Sequence, residues 1–397
     1  MPQPPAARRP QTLPAHINGA STPAHAPPPP HRLLLLLHPL RLPLCPPLHS
    51  IRSRPIQARP RPIPAHVRPK HPAPATTHPS LFSSTRYVLA DKYVGNDFFN
   101  HWAWESIDDP THGRVNYVSK SSAHRANLSF ASETKFVMRA DHTARVAPAA
   151  RGRDSVRIHS NKAYGDSVAI LDVEHMPEGC ATWPAFWSLS QAGPWPAGGE
   201  IDIIEGVNLQ AANTMSLHTL PVCVMPAGGA PRRAHTGTVL STDCDARANY
   251  NQGCGVRGPP ASYGAPLNAA RGGWFVVARG PGPEGVRGWF WARADPAVPP
   301  EVRDADGDAA AAAEVRPGPA WGLPVAHFPM GRECEYAPHF DEHMFVFDLT
   351  FCGDWAGNAY PTSGCGGSCV DLVDNHPEAF VDAYWEVNSL RVYTPAR

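Results

Sequence analysis

The 397-residue chain reads as an all-β protein, a sandwich of antiparallel sheets at residues 84–397 preceded by a disordered, proline-rich arm at 1–83. Three observations predict this. Short apolar runs alternate with Gly, Pro and Asn turns, the pattern of a sandwich. Long amphipathic stretches are missing, so helices do not form the framework. Finally, 22 of the 47 prolines fall in residues 1–80, together with ten Lys and Arg and no acid.

Such an arm cannot bury enough apolar surface to offset the entropy of ordering it, and its prolines favour polyproline conformations. Its apolar run from Leu33 to Leu44 is broken by His38, Pro39, Arg41 and Pro43, too short for a membrane span. Two readings stay open for that run: a poor secretory core behind Arg32, or an extension ahead of the natural start. An SH3-type ligand is a weaker use of the arm. Net charge is zero for the whole chain, but removing the arm leaves 35 − 10 = 25 basic residues against 35 acids, a net of −10. That balance argues against nucleic acid as partner and suits a neutral polymer.

Along the domain, Val168 to Val173 is almost wholly apolar and predicts a central strand. Glu200-Ile-Asp-Ile-Ile-Glu205, bracketed by glycines, predicts a second buried strand that carries three carboxylates. Trp289 and Trp291 share a face with Arg287 and Arg293 and either line a groove or cap a core. Residues 301–320, with Asp304 to Asp308, five alanines and a Pro-Gly-Pro, predict a surface excursion. Phe345, Phe347, Leu349 and Phe351 alternate with Val346, Asp348 and Thr350, so one face is core. Trp385 and Val387 are out of phase with Leu390 and Val392, which calls for a bulge near Asn388-Ser389.

Charges in a buried strand are costly unless they are paired or at work. Side chains alternate along a strand, so Glu200 and Asp202 share a face and Glu205 points away. One extra residue in Ile203-Ile204 would return Glu205 to that face. Two carboxylates flanking a sugar are the usual apparatus of glycoside hydrolysis, one ionised to attack and one protonated to release the leaving oxygen. A third acid between them shares a proton with the nucleophile and holds the two pKa values apart.

Six segments then bear a family likeness: Asp109 to Val118, Thr182 to Trp187, Gly198 to Asn208, Met215 to Thr219, Thr350 to Gly357 and Ala383 to Tyr393. Through them, residues from about Tyr87 to Tyr393 resemble the fungal laminarinase-like branch of glycoside hydrolase family 16. The resemblance implies a β-jelly roll of two curved antiparallel sheets with a concave substrate cleft. It implies a retaining endo-β-glucanase acting on β-1,3- or mixed β-1,3/1,4-glucan, with no cofactor in the chemistry; no metal ligand is assigned, a metal on the convex face stays open, and a monomer is expected. Matched position by position, Glu200 is the nucleophile, Asp202 its assisting acid and Glu205 the acid/base. Trp187, Trp195 and Trp355 fall at sugar platforms, with Trp183 a weaker candidate. His218 is placed beside the acids, and Asn208 is expected to orient the same hydrogen-bond network.

Eight cysteines in the domain, from Cys180 to Cys369, form an even set suited to disulfides in an oxidising compartment. They allow 105 pairings and the sequence selects none. Zinc is disfavoured because no paired Cys-x-x-Cys knuckle is present. With the sequon at Asn127, this predicts a secreted protein. The rival readings are a transglycosylase using the same acids, a glucan-binding lectin on the same scaffold, and a structural cell-wall protein.

Overall fold

The computed structural model describes residues 85–226, 234–303 and 313–396. The expectations placed on the arm, including the Leu33–Leu44 run, lie outside the described residues.

Two large antiparallel sheets make the molecule. One has eight strands, in the order Thr238–Ser241, Cys254–Arg257, Thr214–His218, Glu200–Glu205, Thr182–Ser190, His343–Phe351, Arg157–Ser160 and Trp102–Trp104. We call it the inner sheet. The outer sheet has nine strands, with Tyr384–Pro395, Ser167–His175, Gly273–Arg279 and Val286–Ala292 at its centre. The longest described helix, Cys369–Asn375, has 7 residues, as expected of an all-β chain.

The core lies between the sheets. Phe186, Ile201, Leu217, Phe345 and Phe347 of the inner sheet meet Leu171, Val173, Phe275, Val277, Trp385 and Leu390 of the outer one. Phe347 stacks on Phe186 at 4.4 Å and meets Trp385 edge-on at 5.4 Å. The Trp385 indole N–H donates to the Asp348 carbonyl at 3.0 Å, a polar link from one sheet to the other. This satisfies the one polar atom of a fully buried tryptophan.

Ser167–His175 is central, as expected, and is covered on both faces. Ala169, Leu171 and Val173 join the core, whereas Val168 and Ile170 join a second cluster on the far side of the outer sheet. That cluster settles the reading of Trp289 and Trp291. They cap a core: Trp321 packs edge-on against both, at 5.4 and 6.2 Å. Trp321 belongs to the 301–320 region and its margin, which returns as a cover over the outer sheet; residues 304–312 lie outside the description. The expected bulge near Asn388 is present, since Val387 pairs with Val173 and Ser389 with Asp172. Leu390 and Val392 thereby rejoin the face of Trp385 and Val387.

All eight domain cysteines are paired: Cys180–Cys365, Cys223–Cys334, Cys244–Cys254 and Cys352–Cys369. None of these bonds joins two core positions at mid-strand. They fasten strand ends and loops.

Truncating Phe347 to Ala removes the ring that both sheets share and should lower stability by about 3–5 kcal/mol. A urea melt of the full chain should show the midpoint falling with the slope unchanged.

Candidate active site

Glycine begins the acid strand for a steric reason. Gly198 and Gly199 have φ of +74° and +83°, and a Cβ on Gly198 would lie 2.4 Å from Asp341 Oδ2. The chain must pass tightly under the 339–341 loop to enter the strand.

Register then decides where the acids point. Against Thr182–Ser190, Glu200 pairs with Leu189, Asp202 with Trp187, Ile204 with Phe186 and Glu205 with Ala185. The partners of the three acids are 189, 187 and 185, in steps of two, so all three acids share one face. Ile203 is the extra residue, the bulge expected in Ile203-Ile204. Both isoleucines remain in the core.

A bulge strands backbone groups, and here one side chain satisfies them. Pairing with the next strand stops at Asp202–Ser216. Beyond it, Asn213 accepts from the Glu205 N–H at 2.8 Å and donates to the Ile203 carbonyl at 2.8 Å. Asn213 was not singled out from the sequence; an Asn at a strand start carries no signal of its own.

Rows across the sheet collect the remaining groups. One row runs Arg157, Asp348, Ala185, Glu205, and another Met344, Leu189, Glu200, His218. Asp348 and Arg157 were also passed over. The alternation that marked Phe347 as core places Asp348 on the opposite face, and that signal was available.

Trp183, Trp187 and Trp195 each spend the indole N–H on a carboxylate: Trp183 on Glu205 at 2.9 Å, Trp187 on Asp348 at 3.0 Å and Trp195 on Glu200 at 2.8 Å. The Arg157 guanidinium lies 5.0 Å over the Trp187 ring and 3.5 Å from Asp348. Trp187 is therefore fixed in orientation. Trp195 is 45% exposed, the most open of the three. Trp355 sits in a short π-helical turn, Gly353–Gly357, and packs edge-on against Trp183 at 5.6 Å. Asn208 does not open onto this face. It is 2% exposed, its Oδ1 accepts from the Ala181 N–H and its Nδ2 donates to the Ala356 carbonyl. It ties the end of the acid strand to the Trp355 turn, one step removed from the expected network.

His218 Nε2 lies 3.3 Å from Asp202 Oδ2. Burial works against the imidazolium, but Asp202, with Glu200 and Glu205 behind it, raises its pKa to about 10. Glu200 is pushed up to about 7, first by burial and then by Asp202, with His218 and the Trp195 indole opposing. Burial, followed by the Asp202 charge, holds Glu205 well above the ordinary carboxylate range. Asp348 is raised to about 7 by burial, against the pull of Arg157 and Trp187. Glu200, Asp202 and His218 place donor atoms within 4.8 Å of one another. A metal would need the neutral imidazole, and these acids favour the protonated one.

The arrangement can hold one carboxyl protonated beside another that is ionised, with an imidazolium to steady the acid between them. That is acid and nucleophile chemistry on a face lined with indoles. A family model for the XgeA-like catalytic GH16 domain matches residues 102–393. A probable glycosidase of Schizosaccharomyces pombe is 41% identical over 321 residues, covering 80% of this chain and 71% of the relative. A probable endo-1,3(4)-β-glucanase of Aspergillus niger is 39% identical, over 78% of this chain but 40% of the relative, so the chain spans well under half of that protein. Among solved structures, the GH16 laminarinase 16A of Phanerochaete chrysosporium superposes with a TM-score of 0.72 at 45% identity, covering 78% of this chain and all of that one. That structure holds 6-O-glucosyl-laminaritriose in both donor and acceptor sites.

Replacing Asn213 with Leu leaves the Glu205 amide without its partner inside the protein. Stability should fall by about 1–3 kcal/mol. A calorimetric scan checks this; an unchanged melting temperature would show that the bulge does not need its bracket.

Proposed function

The chain belongs to glycoside hydrolase family 16, and on that premise we propose that it is a retaining endo-hydrolase of β-1,3- or mixed β-1,3/1,4-glucan. The observation that carries this reading is the bulge-corrected strand that sets Glu200, Asp202 and Glu205 on one indole-lined face. The likeness to a laminarinase with β-glucans in donor and acceptor sites supports the choice of polymer.

Glucan lies along the exposed face of the inner sheet, with glucosyl rings against Trp187, Trp195 and Trp355. Flat apolar C–H faces of the sugar suit indole rings, and the pinned N–H groups of Trp187 and Trp195 keep those two rings from turning. Glu205 acts as acid. Its carboxyl is held by the Trp183 indole and its backbone by Asn213, and its raised pKa favours the protonated form. It gives that proton to the glycosidic oxygen as Glu200 attacks the anomeric carbon, and a glycosyl ester forms. Glu205, now ionised, takes a proton from water, and the water displaces Glu200 with the anomeric configuration restored. The His218 imidazolium, held by Asp202, steadies the charge on Glu200 before the attack and again as the ester bond breaks. Asn208 holds the Trp355 turn in place.

We assign the protein to the exterior of the cell. Four disulfides support this, and no helix of the described residues is long and apolar enough to cross a membrane. We take the working form to be a monomer.

Glu200→Gln should bring reducing-sugar release from laminarin to background while the melting curve stays in place; near-normal turnover would remove Glu200 from the mechanism. Glu205→Gln should slow laminarin hydrolysis by about 10²–10⁴. The slowing should be much smaller on an aryl glucoside, whose leaving group needs no proton. Rate against pH should be bell-shaped. Activity falls as pH rises through the Glu205 value, because the acid form is lost, and falls as pH drops through the Glu200 value, because the nucleophile is protonated. A profile without the alkaline limb would displace Glu205 from the acid role. Product sizing at high oligosaccharide concentration separates hydrolysis from transfer to a second sugar.

A further inference from the structure

The segment from Cys244 to Cys254 is closed on itself by a disulfide of sequence separation 10. Catalysis as drawn above makes no use of it, yet it grips the end of the His218 strand on both sides. Cys254 pairs with Leu217 in the sheet. On the other side, the Thr219 N–H donates to the Cys244 carbonyl and the Ala246 N–H to the Thr219 carbonyl.

Inside the loop, Asn249, Tyr250 and Asn251 have φ of 48°, 57° and 59°. Residues with a Cβ visit the left-handed region singly, because Cβ then crowds the following carbonyl. Three in succession persist only where the surroundings hold them. Here the turn delivers the Asn251 side-chain oxygen, Oδ1, to His218 Nδ1 at 2.8 Å. That oxygen can only accept, so Nδ1 carries the proton and Nε2 is the nitrogen that faces Asp202. Two residues on, Gly253 presses its bare backbone against the same ring. A Cβ there would stand 2.9 Å from His218 Cε1 and Nε2 and 2.5 Å from the Leu217 carbonyl oxygen. Ser241 donates to the Gly253 carbonyl at 2.7 Å and keeps it in place. The ring is thus held at one nitrogen by Asn251, along its edge by Gly253 and at the other nitrogen by Asp202.

We propose that the Cys244–Cys254 loop is a clamp for His218, with Asn251 as a positioning residue that fixes the imidazole for Asp202 and, through it, for Glu200. The inference rests on the reading of Glu200 and Asp202 as the reacting carboxylates. The groups that face the imidazole are Asp202, Glu200 and Glu205 from the acid strand and the neutral Asn251 and Gly253 from the loop.

Two variants of the full chain test it, Asn251→Leu and Asn251→Asp, each read by laminarin kinetics and by ¹⁵N NMR of the His218 ring. Leu cannot accept from Nδ1. It should lower kcat by roughly tenfold or more, with KM close to wild type, and the protected Nδ1–H signal should disappear. Asp accepts the same proton and adds a charge. It should recover most of kcat and move the loss of the imidazolium to higher pH, because a second carboxylate favours the charged ring. An Asn251→Leu enzyme with wild-type kcat and an intact Nδ1–H signal overturns the clamp. So does an Asn251→Asp enzyme whose His218 titrates as in wild type, and that result is available even where the leucine variant does not fold. The NMR readouts do not depend on the reaction. A clamp confirmed by NMR alongside an active Glu200→Gln enzyme would reject the catalytic reading instead.

Discussion

Ile203 has no partner across the sheet, and its placement lets a six-residue strand send three acids to one face while three isoleucines stay in the core. Without the extra residue, strict alternation would turn Glu205 toward Phe186 and Leu217, where a carboxylate has no solvent and no donor. A bulge leaves backbone groups orphaned, so its existence depends on Asn213, which takes up both. The glycines ahead of the strand and the Asn213 bracket beyond it are parts of one solution: a segment too polar for its place in a sandwich is forced into a single register.

Electrostatics follow from that register. Three acids crowded on one face cannot all ionise cheaply. The fold answers with a single imidazolium, His218, and with indole N–H donors aimed at the two outer carboxyls. The two glutamates receive different company. Glu200 faces His218 across the sheet, which favours its charge, whereas burial and the Asp202 charge, outweighing the Trp183 indole, favour the proton on Glu205. Division of labour between two identical side chains is thus written into which strand lies opposite each of them.

Much of this was legible in the sequence, wherever a periodicity and a charge disagreed. The phase slips at Ile203 and Asn388 announced both bulges, because alternation is strict enough that a break in it has few causes. Trp289 and Trp291 were ambiguous because alternation tells one face from the other, not which face is covered. The outer sheet here is buried on both sides. Asn208 was read as part of the acid network, but its neighbours are backbone groups of Ala181 and Ala356. Arg157, Asn213 and Asn251 escaped notice for a common reason. Arg157 and Asn251 reach the site from a strand and a loop distant in sequence, and Asn213 lies eight residues past Glu205, but the meaning of each appears only when register sets it against the acid strand or its partner.

The long reach of one disulfide has a consequence for endurance. Cys180–Cys365 encloses 185 residues of sequence separation, and with them the acid strand, the His218 clamp and most of the inner sheet. A protease that severs a single exposed loop anywhere inside that span releases no fragment, since both new ends stay covalently joined. Cuts in the Asn251 turn are contained twice, by this bond and by Cys244–Cys254. Nicked in this way, the chain remains one molecule.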